Sequence, residues 1–190
     1  MKAYTLLCCL LVVTMATSSS RSLLNGECPQ PPVKANFELQ KYLGTWYEVE
    51  RNPAIFQSGQ KCTSATYTLK DNGKVKVFNK AVIVKTGDVT SIEGEAYIPD
   101  PNEPAKLLVS FPGNPFDGNY WILDTDYDKY SVVFSCQSIL HVFRIEYLWI
   151  LSREKTLPDT TLTNIYRILD KNGIARNKLI KTDQSDCKTE

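Results

Sequence analysis

Eight short β-prone stretches, divided by turn sequences, limit what this chain can fold into more than any other feature. The first is Tyr42–Pro53 (YLGTWYEVERNP), followed by Cys62–Lys70, Lys74–Lys85, Val89–Ile98, Ala105–Phe111, Asn119–Thr125, Tyr130–Cys136 and Arg144–Ser152. DNG, TGD, PDPNEP and PGNPFDG interrupt them. Asn-Gly between β-formers is a strong hairpin signal, because both residues tolerate positive φ. In KVKVF, lysine alternates with valine, the period-two pattern of a half-buried strand. A run of short antiparallel strands folds as a sandwich or a barrel. Pro158–Lys171 then carries Leu162, Ile165, Ile168 and Leu169 at three- and four-residue spacing, with Asn172-Gly173 as a stop, and this predicts one helix. ANFELQKYL, just before the first strand, predicts a single helical turn.

Periodicity does not choose between sandwich and barrel. A sandwich has two apolar inner faces that fill one another. Here Glu48, Glu50, Asn79, Tyr120 and Tyr147 place polar groups on both faces. That favours a closed sheet around a partly open interior, and eight strands are just wide enough for one small ligand. The 190 residues suit one domain. A net charge of +1 with no basic cluster removes the electrostatic reason to bind nucleic acid or an acidic membrane.

The N-terminus reads differently. Lys2, the apolar run Leu6–Val13 and the small polar residues after it match a secretory signal peptide over residues 1–20, cleaved near Arg21. Residues 21–190 are then expected as one secreted, extracellular domain, and no later segment is apolar for long enough to span a membrane. Cys8 and Cys9 leave with the signal. Cys28, Cys62, Cys136 and Cys187 remain, an exported set that implies two disulfides in one of three connectivities. His141 is the single histidine, so no histidine-rich metal site can form. No G-x-S-x-G motif occurs, and DTDYDK lacks the length and ligand pattern of an EF-hand loop. Neither an enzyme nor a bound cofactor or metal is expected.

Three separated motifs add a resemblance. Gly44-x-Trp46 opens the first strand, Thr125-Asp126-Tyr127 lies between the sixth and seventh, and Arg153 closes the eighth. In that order, on an eight-strand-plus-helix layout, they resemble the lipocalin family from Cys28 to Cys187. NGKVKV, IEGEA, EPAKL, WILSR and TDQ-x-x-C are similar to segments of the apolipoprotein D-like branch, with the insect bilin-binding lipocalins next. The resemblance implies an all-β, eight-stranded, antiparallel up-and-down barrel with one C-terminal helix packed outside. It implies that Gly44, Trp46, Thr125, Asp126, Tyr127 and Arg153 are structural, with Arg153 lying across Trp46 on the barrel floor. It implies the bridges Cys28–Cys136 and Cys62–Cys187.

By the same resemblance, Tyr67, Asn79, Ile92, Val109, Phe111, Tyr120 and Trp149 face a ligand cavity, and strand alternation from Trp46, Cys136 and Trp149 adds Glu48, Ser135 and Tyr147. Glu48 should look up into a wet part of it, with Glu50 near the rim where water reaches. The implied function is a carrier for a small hydrophobic ligand: a fatty acid such as arachidonate, a steroid or a retinoid. The alternatives are a bilin carrier and a regulator that acts through protein contacts. A monomer is expected, with at most weak lipoprotein association.

Overall fold

At Asn72-Gly73 the chain reverses as its sequence requires: the Lys70 N–H donates to the Lys74 carbonyl, the Asn72 side chain accepts from the Lys74 N–H, and Gly73 sits at φ +80°. The other turn sequences likewise separate strands that pair with their immediate neighbours. The computed structural model describes residues 23–187, and the expected signal peptide lies outside them. Its elements are β1 (Leu23–Asn25), α1 (Leu39–Tyr42), β2 (Gly44–Arg51), β3 (Gln60–Leu69), β4 (Val75–Ile83), β5 (Val89–Tyr97), β6 (Lys106–Ser110), β7 (Gly118–Thr125), β8 (Tyr130–Ile139), β9 (Phe143–Ser152), α2 (Asp159–Lys171) and β10 (Ile180–Lys181). A 3-10 turn, Ile55–Gln57, follows β2.

Strands β2 to β9 pair in sequence order, and β9 returns to β2 through Tyr47↔Ser152 and Arg51↔Trp149. The sheet is therefore a closed eight-stranded antiparallel barrel, which removes its exposed edges. Two short strands thicken the seam. β1 lies on β9 at Leu24↔Arg144, and β10 lies on β2 at Ile180↔Arg51. Because consecutive strands run up and down, the connections after β2, β4, β6 and β8 share one end of the barrel, and the T-D-Y turn after β7 lies at the other.

Alternation divides the apolar residues between two clusters. The inner one gathers Trp46, Tyr67, Val75, Val77, Ala96, Leu107, Ile122 and Val133 with Phe37 and Tyr42. The outer one packs Ile165 and Leu169 of α2 on Trp121, Val132, Phe134, Leu148 and Ile150. Burying two such aliphatic side chains contributes about 1.5–3 kcal/mol each, so the helix is held by its apolar stripe. Disulfides join Cys28 to Cys136 and Cys62 to Cys187 across 108 and 125 residues. Loops of that length give each bridge about 3–5 kcal/mol by constraining the unfolded chain.

Candidate functional site

The closed end is built around Trp46, which is 0% exposed. Its indole N–H donates to the Tyr42 carbonyl at 2.8 Å, and the rings of Tyr42 and Trp46 stack at 5.1 Å. Arg153 caps the assembly, with Cζ 3.7 Å from the Trp46 ring centroid. Its guanidinium donates to the carbonyls of Tyr127, Thr45, Lys41, Tyr42 and Leu43. A planar fork can serve so many acceptors where a lysine could not. Gly44 passes beneath it at φ +93°, and a Cβ there would lie 3.4 Å from the guanidinium. The T-D-Y turn supplies the other wall. Thr125 Oγ1 donates to the Tyr130 carbonyl, the Asp126 carboxylate accepts the N–H groups of Lys129 and Tyr130, and Tyr127 stands at φ +68° with its ring on Phe37. This end is a plug.

Just inside the plug, Tyr67 and Tyr120 reach toward each other from β3 and β7 until their hydroxyls are 2.7 Å apart. Above this crossbar the inward positions lose their packing partners. Asn79 of β4 pairs with Ala65 and with Ile92 of β5, which is 45% exposed at the rim. Val109, Phe111, Tyr120 and Trp149 sit at the edge of the inner cluster and are only partly buried. Ser135 of β8 faces Tyr147 of β9 across the ladder, and both are also half-buried. The exposure of inward residues is to the barrel interior or, at the rim, to solvent at its mouth. Tyr147 stacks on Trp149 at 5.6 Å and meets the Phe56 ring edge-on at 5.3 Å. Phe111 lies against Gly94, where a Cβ would come within 2.6 Å of its ring and 2.4 Å of the Ser110 carbonyl oxygen. Among the described residues, no side-chain partner holds the Asn79 amide or the Ser135 hydroxyl.

Glu48 differs from the expectation of a wet surrounding. It is 2% exposed. Its carboxylate accepts from Thr182 Oγ1 and Gln57 Nε2, each at 2.6 Å, and Arg51 Nε lies 3.1 Å away as an ion pair. The Arg51 N–H is not aligned along that contact, so the pair is electrostatic rather than a formed hydrogen bond. Gln57 also accepts the Trp149 indole N–H at 3.0 Å, so one amide bridges the carboxylate and the aromatic wall. Burial pushes the Glu48 carboxyl above its ordinary range, and Thr182, Gln57 and Arg51 pull it back only in part. Both of its oxygens are engaged by protein, and Asn79 is left as the open polar handle.

Glu50 is a second correction. The ladder to β9 slips by one residue between Glu48 and Glu50. Such a bulge leaves one residue unpaired and re-aims the rest. Arg51 thus joins Glu48, while Glu50 turns to the outside and both its oxygens accept from Tyr166 of α2. It lines an external recess of about 420 Å³ with Val49, Leu157, Leu162, Tyr166 and Lys181, away from the barrel rim. Sequence reasoning also missed Gln57, Thr182 and Gln184. Gln184 donates to the carbonyls of Glu48 and Thr63. The one available signal was the need of a buried carboxylate for donors, which does not say which donors.

The connections at the open end carry exposed apolar residues: Ile55 is 85% exposed, Phe116 72% and Leu140 85%. His141, at the same end, is exposed and lies 3.4 Å from the Glu27 carboxylate.

Comparison with known proteins agrees with this geometry. Residues 37–184 match the family model described as a lipocalin-like domain. The chain is 43% identical over 182 residues to apolipoprotein D of Cavia porcellus, covering 96% of this chain and 95% of that protein. It is 34% identical over 166 residues to the outer membrane lipoprotein Blc of Vibrio cholerae, covering 85% and 93%. Among solved structures, insecticyanin of the tobacco hornworm Manduca sexta superposes with a TM-score of 0.77 at 27% identity, covering 89% of this chain and 93% of that one.

Proposed function

Since the chain belongs to the lipocalin family, we propose that it is a secreted carrier holding one small hydrophobic molecule in the barrel: a fatty acid such as arachidonate, a steroid or a retinoid. The observation that carries this reading is the contrast along one inward face. Trp46 is sealed at the floor, whereas Phe111, Tyr120, Tyr147 and Trp149 above it face inward yet are only partly buried. A guest entering there removes apolar surface from water at about 25 cal/mol per Å² before the costs of association. Val109, Phe111 and Trp149 supply the apolar contact, and Ile92 borders the entrance. Asn79, able to donate and accept, orients a polar group on the guest. Ser135 offers a hydroxyl as a second polar contact. Glu48 acts indirectly, by fixing Gln57 and through it Trp149. Export fits two disulfides, which persist in oxidising compartments. On this reading, residues 1–20 are the signal and the remainder is one domain.

Titration of the tryptophan emission with arachidonate, a steroid and retinol tests the reading. Saturable quenching with a Kd in the low micromolar range is expected. Asn79→Ala should weaken a guest bearing a polar group by about tenfold, the value of one hydrogen bond. If none of the three saturates the protein below about 10 μM, a concentration that an enclosed apolar site should reach, the carrier reading fails.

A further inference from the structure

At the crossbar, four hydroxyls form a chain. Ser131 Oγ lies 3.0 Å from the Tyr42 hydroxyl, Tyr42 lies 3.1 Å from that of Tyr120, and Tyr120 lies 2.7 Å from that of Tyr67. Each hydroxyl owns one proton and can accept two. Four protons therefore meet three contacts, and one proton has no place within the chain. Ser131, Tyr42 and Tyr67 are buried, and none has another hydroxyl acceptor among the described residues. Tyr120 is the partly exposed member, an inward residue of β7 at the edge of the inner cluster. The arrangement that wastes no buried donor has Ser131 donating to Tyr42, with Tyr42 and Tyr67 both donating to Tyr120. Tyr120 then turns its own proton toward the guest.

Resting on the carrier reading above, we infer that the Tyr120 hydroxyl is a donor subsite at the cavity floor for an uncharged acceptor oxygen, such as a ketone, aldehyde or ester carbonyl. A guest is held polar end down, with its apolar remainder toward Phe111 and Trp149. The donor is preorganised, because a hydroxyl that accepts two hydrogen bonds is polarised and fixed in direction. The subsite discriminates against anions. No lysine or arginine among the described residues donates to any of the four hydroxyls, and Arg153, whose charge reaches Tyr42, already serves five backbone carbonyls, so a carboxylate seated there would lose its hydration without gaining a direct cation partner. Burial also raises the Tyr42 phenol to about 12 and pushes Tyr67 and Tyr120 upward, as expected where negative charge is disfavoured.

Three C18 ligands with one skeleton test this: the hydrocarbon, its methyl ketone and its carboxylate, each displacing a bound polyene fluorophore at pH 7.4. The wild type should bind the ketone about tenfold more tightly than the hydrocarbon, and more tightly than the carboxylate. Tyr67→Phe removes one proton and one contact together and should keep that preference. Tyr67→Phe/Tyr120→Phe differs from it by the single Tyr120 oxygen and should lose the preference, with hydrocarbon affinity within about twofold of wild type as proof that the cavity is intact. A double variant that keeps the ketone preference overturns the inference, as does loss of the preference in Tyr67→Phe alone or a carboxylate that binds best. If the wild type binds neither the fluorophore nor any of the three, the carrier reading itself falls.

Discussion

The two ends of the barrel are made from the same strands and solve opposite problems. At the floor, Trp46 is enclosed on every side, and one guanidinium answers five backbone carbonyls of β2, the end of α1 and the T-D-Y turn. At the mouth, Ile55, Phe116 and Leu140 stand in solvent, and Ile92, an inward residue in the first half of β5, is almost half exposed. Stability is concentrated at the first end and access is provided at the second. A site that must admit a guest is drawn from the less constrained part of a fold.

That contrast can be broken at its strongest point first. Trp46→Ala should cost about 3–5 kcal/mol in urea unfolding, the usual penalty for emptying a buried aromatic site. A loss below about 1 kcal/mol would mean that the floor is not the structural plug described. Arg153→Lys keeps the charge but not the fork, and should cost about 1–3 kcal/mol in the same measurement. An unchanged midpoint would leave the five carbonyl contacts without energetic weight. Phe116→Ala marks the other end of the scale. Its side chain has little packing to lose, so stability should stay within about 0.5 kcal/mol of wild type, and a drop as large as that of Arg153→Lys would erase the distinction between the ends.

Much of this architecture is legible in the sequence. Period-two alternation and turn chemistry place the eight barrel strands within a few residues, and the apolar spacing of Ile165 and Leu169 places α2. The short strands β1 and β10 were not legible, because two or three residues are too few to show a period. Alternation from Trp46 correctly keeps Glu48 on the inward face. It fails two residues later, since the slip before Glu50 adds one residue that no local pattern announces. The seal on Glu48 was hidden for another reason. Thr182 and Gln184 are 134 and 136 residues away from it along the chain, and their role depends on the path of the tail. Tyr42 was hidden as well: in sequence it belongs to a short helical turn, and only closure of the barrel brings its hydroxyl to Tyr120 and Ser131.

The tail also sets the order of events during synthesis. Cys62 N–H donates to the Asp183 carbonyl, Gln184 ties β2 to β3, and Cys187 is bridged back to Cys62. The gap between the upper halves of β2 and β3 is therefore filled by residues that follow every barrel strand in the chain. Until they emerge, the wall lacks a stave and Glu48 has neither Thr182 nor a dry surrounding. Hairpins from β3 to β8 can assemble on a growing chain, since their contacts are local. The barrel wall is complete only once a segment made after all eight barrel strands has joined it.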